Sequence, residues 1–231
     1  MPPASKVSPP KLIATAAYLL AWPTLQLRLS GDWCWVEGWV FGLWLVALCA
    51  TCIGWLYRKD PALLAERFRQ PGSGGQSSAD KVIVYGLFLG FIAWIVLPSL
   101  GRRFGWTPRL PLWVEGSGGL LLLGAAFLFF RSFTDNTFLS PLVRIQTERR
   151  QHVVSTGVYG LVRHPMYLGA SMMFLGGPLL LGSAWGLLPA LGLVLLLILR
   201  IVGEEKLLSR ELEGYDTYRA KVRYRLVPGI W

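Results

Sequence analysis

Two polar segments carry nearly all the residues in this chain that could do chemistry. The first, 131–169, reads RSFTDNTFLSPLVRIQTERRQHVVSTGVYGLVRHPMYLG and holds both histidines, His152 and His164. The second, 200–231, opens on Arg200 and the adjacent acids Glu204 and Glu205 and closes on Pro228-Gly229-Ile230-Trp231. Two histidines are too few for the His-rich clusters of membrane di-iron sites, and no HExxH string is present. No GxSxG and no Asp at a recognisable spacing from either histidine supports a Ser-His-Asp arrangement. Cys49-Ala-Thr-Cys52 has redox spacing but neither a strand–helix setting nor an activating charge. With Cys34 beside it, it reads as apolar helix interior. The glycines of 71–78 (PGSGGQSS) are not followed by Lys-Ser/Thr and read as a flexible turn. Those of Gly116-Ser117-Gly118-Gly119 suit close helix packing. What remains is Arg163-His164-Pro165-x-Tyr167-x-Gly169, a cation, a hydrogen-bonding ring, a rigid residue and an aromatic surface where a polar loop meets an apolar run. Arg200 and Glu204, one helical turn apart, share a face. Such groups suit transfer between a soluble charged donor and a lipid-borne acceptor.

The elements that must position them follow from charge and hydropathy. The 231 residues are 53% hydrophobic and 16% charged, with 11 Trp and 26 Gly, against about a quarter charged in a soluble domain. Uncharged runs cover 12–27, 38–57, 82–101, 116–130 and 164–199. A bilayer core of about 30 Å takes roughly 20 helical residues, so each of the first four is one span. The fifth is too long for one helix. Gly176-Gly177-Pro178 and Gly182-Ser183 predict a break, hence a hairpin of 165–181 and 184–201. Six passes result, the last two short. They place 19 of the 23 Lys and Arg on one face and Arg28, Arg102, Arg103 and Arg109 on the other. The positive-inside rule makes the crowded face cytoplasmic. The net charge of +10 is then topology and attraction to anionic lipid rather than a nucleic-acid footprint. No cleavage site follows the first run, which reads as an uncleaved span. No ionisable group lies deep in a span, which argues against a transporter.

The expected fold is therefore all-α: a polytopic membrane bundle of about six passes plus a cytoplasmic C-terminal amphipathic helix. The latter is read from Leu207, Leu208, Leu212 and Tyr215. The expected division is N-terminal spans over 1–110 and a core over 111–231. That core comprises a span 112–131, a polar segment 132–164, the hairpin 165–201 and a tail 202–231. The hairpin joins its own two ends, so Arg163 and His164 are expected beside Arg200, Glu204 and Glu205.

The strings Gly157-Val158-Tyr159, Arg163-His164-Pro165-Met166-Tyr167-Leu168-Gly169, Arg200-x-x-x-Glu204-Glu205 and the closing Tyr215, Tyr218 and Val222–Pro228 resemble the isoprenylcysteine carboxyl methyltransferase family, within a wider group that includes phospholipid N-methyltransferases. The resemblance covers about 131–231 and is specific to the group more than to the acceptor. It implies S-adenosyl-L-methionine as methyl donor, held by Gln146, Gln151, His152, Val153, Val154, Tyr159, His164, Pro165, Met166 and Tyr167. It implies an acceptor site with Arg200 and Glu204, near Arg163 and Glu205, and a lipophilic or lipid substrate in a multi-pass protein whose site faces the cytoplasm, at the inner membrane in a bacterium. No metal is implied.

A carboxylate acceptor is already nucleophilic at neutral pH and needs no base, leaving the protein alignment and exclusion of water. Arg200 would hold an acceptor oxygen through its planar fork, with Glu204 orienting it or accepting a substrate N–H. Plainer roles stand beside these. Arg200 and Glu204 could form a helix-surface pair worth about 0.2–0.5 kcal/mol. Arg163 could anchor the hairpin to headgroups with its stem snorkelling. His152 and His164 could be packing or capping residues, and Glu205 could be solvated. An amine or thiol methyltransferase, an NADPH-dependent sterol-type reductase and a non-enzymatic scaffold are the competing functions.

Overall fold

The apolar runs become helices whose ends are set by the polar residues between them. A computed structural model describes residues 7–69, 76–106 and 110–231. Lys6, Arg109 and most of the 71–78 turn lie outside the described residues. Six long helices alternate in direction: α1 (Pro9–Ser30), α2 (Val36–Lys59), α4 (Ser78–Phe104), α5 (Leu112–Asp135), α6 (Pro165–Leu180) and α7 (Leu187–Glu211). Two short ones, α3 (Pro61–Arg67) and α8 (Tyr215–Lys221), lie at the basic end. No strand occurs among the described residues. Four helices, α2, α4, α5 and α7, are long and apolar enough to cross a bilayer. With its 16 residues, α6 reaches only about 24 Å, shorter than the hydrocarbon core.

Both halves of the chain share one core. Leu27, Trp35, Phe41, Trp94 and Ile95 pack with Leu122, Ala125, Met173, Phe174, Leu193 and Leu197. Of the Gly116–Gly119 cluster, Gly118 serves close packing, whereas Gly116 and Gly119 face open space. A Cβ on Gly118 would lie 2.4 Å from Leu180 N and 2.7 Å from Gly176 O, so α5 and α6 touch backbone to backbone.

The first arm of the hairpin has its expected bounds: α6 runs through Gly176-Gly177-Pro178, one of the two break signals, to Leu180, and the turn is 181–186 around the other, Gly182-Ser183. Pro178 cannot donate to the Phe174 carbonyl four residues earlier, but the Trp94 indole N–H from α4 donates to that oxygen at 2.8 Å. The freed carbonyl is satisfied from another helix, so the chain need not turn there. The difference from the sequence reading is at the far end: Leu207 and Leu208 belong to the end of α7, which nothing interrupts before Glu211, and the separate helix that follows is α8. The 25 residues of α7 span about 37 Å, enough to leave a core of about 30 Å with roughly one turn to spare. Its apolar face there, with Leu208 and Leu212, packs on Tyr215, Tyr218, Val222 and Val153 rather than on lipid. Finally, α3 was not anticipated at all. Asp60 caps it, accepting from Leu63 N at 2.9 Å, and Pro61 occupies its first turn, where a missing N–H is harmless.

Candidate functional site

The mouth of the α6–α7 hairpin opens into a cavity of about 1100 Å³, its open entrance included. Its walls come from α3, the loop 136–159, the start of α6, the end of α7, and α8.

The loop is built on α5. Asp135 Oδ2 accepts from Val158 N at 3.0 Å, which sets the Gly157–Gly160 turn. Gly157 has φ +59, and a Cβ there would lie 1.9 Å from Asp135 Oδ2, so glycine is needed twice over. This turn places Tyr159 on the cavity wall, where Tyr218 hydroxyl donates to its carbonyl at 2.8 Å. The Arg163-His164 backbone is tied to the tail: Arg163 N donates to Tyr224 O at 3.0 Å and His164 N to Arg225 O at 2.9 Å.

Arg163 is no headgroup anchor. It is buried, at 7% exposure, and donates to Glu205 Oε1 at 2.7 Å and to the Val222 and Arg223 carbonyls. Glu205 is not solvated either. Its carboxylate also meets His164 Nε2 at 3.2 Å and Arg225 Nε at 2.8 Å. Burial works to raise the Glu205 pKa, but hydrogen bonds from His164, Arg163 and Arg225 overcome this and hold it well below the usual carboxylate range. As the ionised oxygen can only accept, the imidazole Nε2 carries the proton of that contact. Glu205 thus ties α7, the start of α6 and the tail together from behind the cavity, whose surface it does not reach.

Glu204 and Arg200 do line the cavity, though not as a pair. Tyr167 hydroxyl donates to Glu204 Oε2 at 2.8 Å, and the Tyr167 ring stacks on His164 with centroids 5.6 Å apart. Arg200 donates from Nε to Asp80 Oδ1 at 2.9 Å and from an Nη to Pro141 O at 2.5 Å. Asp80 is buried and also accepts from Gln76 Nε2 at 2.6 Å. The residues Gln76–Ser78 are thus the ordered start of α4, with Ser77 as its cap.

Nine of the ten residues expected at the donor site line the cavity: Gln151, His152, Val153, Val154, Tyr159, His164, Pro165, Met166 and Tyr167. Gln146 does not. It is fully buried, its amide shared between Phe138 O and Arg149, while its N–H donates to Gln151 Oε1 at 2.8 Å. It shapes the loop from inside. His152 stands edge-on to Phe138 at 4.9 Å between centroids. Among the described residues, two buried phenol hydroxyls on the wall, those of Tyr159 and Tyr215, have no hydrogen-bond partner of good geometry, though the Asn136 and Ser132 side chains lie beside that of Tyr159. Burial raises both pKa values, and that of Tyr218 to about 12, so all three remain neutral donors.

Residues 116–213, from α5 through α7, match the family model described as phospholipid methyltransferase. Over this segment, less than half of the chain, the protein is similar to that family. No curated protein matches the chain. The family segment contributes the loop and both hairpin helices, whereas Arg67, Asp80, Tyr215 and Tyr218 lie outside it. Sequence reasoning missed Arg67, Asp80, Asn136, Phe138 and Arg144 on or behind the wall. The Asp60-Pro61 cap signal could have exposed α3, and an isolated acid at the foot of an apolar run could have exposed Asp80.

Proposed function

We propose that the chain uses S-adenosyl-L-methionine to methylate a lipophilic acceptor at the cytoplasmic membrane face, with carboxyl O-methylation of an isoprenylcysteine-like substrate as the reaction. One observation carries this reading. A single cavity in a phospholipid methyltransferase family segment gathers the Arg163–Tyr167 string, Arg200 and Glu204 at the mouth of a membrane hairpin. The cavity suits the donor. The unpartnered hydroxyls of Tyr159 and Tyr215 would otherwise stay unsatisfied, a cost of about 1–3 kcal/mol each, and Phe138, Val153, Val154 and Met166 offer apolar surface. When bound, this donor supplies an electrophilic methyl group on a positively charged sulfur.

The chain's own residues do the rest. Tyr167, held by Glu204 and stacked on His164, makes a fixed wall between the loop and α7. Arg200 is immobilised by Asp80 and Pro141 and keeps N–H groups free on its remaining nitrogen, which can hold an acceptor oxygen. Pre-fixed donors cost no reorganisation when the acceptor arrives. The hairpin brings these groups to the end of α7, where a lipid-borne head can reach them from the bilayer. By the positive-inside rule, this basic end faces the cytoplasm. The description of the matched family favours a second reading, a phospholipid amine acceptor; there Glu204 would be the nearest base.

Calorimetry of the purified protein with S-adenosylhomocysteine and with NADPH tests the donor. Binding of the first and not the second is expected; the reverse overturns the reading. A labelled-methyl assay against a prenylcysteine analogue, a phosphatidylethanolamine and a simple thiol then identifies the acceptor, with label in a base-labile ester the expected product.

A further inference from the structure

The cations on the cavity wall are almost all neutralised. Arg144 pairs with Glu66 at 2.9 Å, Arg163 with Glu205 at 2.7 Å and Arg200 with Asp80 at 2.9 Å. Arg67, the last residue of α3, is the exception. It lines the same cavity, is only half-buried, and has no ion pair or hydrogen bond among the described residues. Its guanidinium lies over the Phe133 ring of α5 at 5.4 Å, a contact worth about 0.5–2 kcal/mol. That does not cancel a charge. Burial lowers its pKa to about 10, and the positive charge of Arg200 adds to the effect while Tyr167 and Tyr159 oppose it. Arg67 thus shares one cavity wall with Arg200 and Glu204, the two residues of the proposed acceptor site.

The position is built, not incidental. Helix α3 is clamped to the loop: Ser140 hydroxyl donates to Glu66 Oε1 at 2.7 Å and Arg144 to both Glu66 oxygens. Asp60 is bound by the Thr137 hydroxyl. A short helix held this firmly presents its last side chain at a fixed place. An anion held by Arg67 and by the open nitrogen of Arg200 would make charge-assisted contacts with both, each about twice as strong as a neutral one.

We propose that Arg67 is the anion-binding residue of the acceptor subsite, and that the acceptor carries a carboxylate or a phosphate which Arg67 holds beside Arg200. This rests on the methyltransferase reading above and adds a specificity-determining residue outside the matched family segment. It also accounts for the one surplus acid on the wall. Glu204 accepts from Tyr167 and forms no ion pair among the described residues, so the cavity wall offers an unpaired cation and an unpaired acid to reactants of opposite charge.

The test measures binding, not turnover. Three probes are titrated into the full chain in micelles: a farnesyl thioether ending in a carboxylate, its primary amide, and farnesyl phosphate. The wild type is expected to bind at least one anion about tenfold more tightly than the amide, a difference of about 1.4 kcal/mol. In Arg67→Gln that preference is expected to shrink to about twofold or less, with S-adenosylhomocysteine affinity within about threefold of wild type; Arg67→Lys is expected to keep part of it. Tighter carboxylate binding points to a prenylcysteine-type head and tighter phosphate binding to a phospholipid head, and either supports the anion site. No preference in the wild type, or a preference that survives in Arg67→Gln, overturns the proposal. So does loss of S-adenosylhomocysteine binding in Arg67→Gln, which would assign Arg67 to the donor. Failure of the wild type to bind S-adenosylhomocysteine sinks the methyltransferase reading separately, since the anion preference is read without the donor. A folded variant is expected, because Arg67→Gln breaks no ion pair or hydrogen bond among the described residues and removes only the contact with Phe133; its thermal midpoint should stay close to that of the wild type.

Discussion

Arg200 shows how a residue's neighbours decide what it can do. Its charge is matched by Asp80, a carboxylate 120 positions away, so its fork is fixed before any ligand arrives. Arg200→Ala is expected to abolish methyl transfer while leaving S-adenosylhomocysteine affinity within a few-fold. Asp80→Asn should leave Arg200 charged but loosely held, lowering kcat by about 10- to 100-fold, since small misplacements carry costs of that size. Equal loss of donor affinity in either variant would show that the two sites are not divided as proposed. Glu205 works differently, as a buried hub. Because its native pKa is depressed, it contributes stability that is full above the ordinary glutamate value of about 4.3 and fades as pH falls below it. Glu205→Gln is expected to cost about 3 kcal/mol at pH 7 and to flatten the acid limb of a plot of unfolding midpoint against pH in detergent. An unchanged acid limb would remove Glu205 from this role.

At the scale of elements, the hairpin depends on a substitution of one donor for another. Trp94 supplies the N–H that Pro178 lacks, and in doing so joins α4 to α6. Trp94→Phe should destabilise the protein by about 1–3 kcal/mol through the unsatisfied Phe174 carbonyl. Adding Pro178→Ala should recover part of that, because the new amide can donate to the same oxygen. A double-mutant cycle on thermal unfolding gives the coupling; strict additivity would show that the indole contributes packing alone. The α5–α6 contact is of another kind, a backbone-to-backbone approach at Gly118 and Gly176 that any side chain would separate. Through it the rigid α5, whose Asp135 sets the Gly157 turn, positions the loop wall of the cavity against the hairpin.

At the scale of the molecule, the alternating helices put the cavity, α3 and α8 at one end, with Arg102 paired to Asp32 at the other. The native cysteines report which end faces which compartment. Cys34 is exposed in the turn between α1 and α2, whereas Cys52 is buried within α2. An impermeant thiol reagent is expected to label Cys34 in right-side-out vesicles and not in sealed inside-out ones. The opposite pattern would invert the proposed orientation and place the cavity outside.

Much of this arrangement was legible in the chain. Apolar run length and the 19-to-4 division of Lys and Arg specify a helical membrane protein with one chemically equipped end, because a bilayer admits few ways to satisfy a backbone. The strings around His164 and Arg200 specified the group of methyltransferases and most of the cavity wall. Short-range signals could not reveal partners contributed by distant elements. Pro178 looked like a break because its substitute donor sits on α4; Glu205 looked solvated because the tail that covers it follows 20 residues later. Arg67 looked like one more positive charge in a basic loop. Sequence by itself determined where charge and hydrocarbon must lie. Only the tertiary structure decided which charges are neutralised, since pairing depends on distances across helices that no spacing along the chain encodes; on the cavity wall, among the described residues, it left Arg67 without an ion pair.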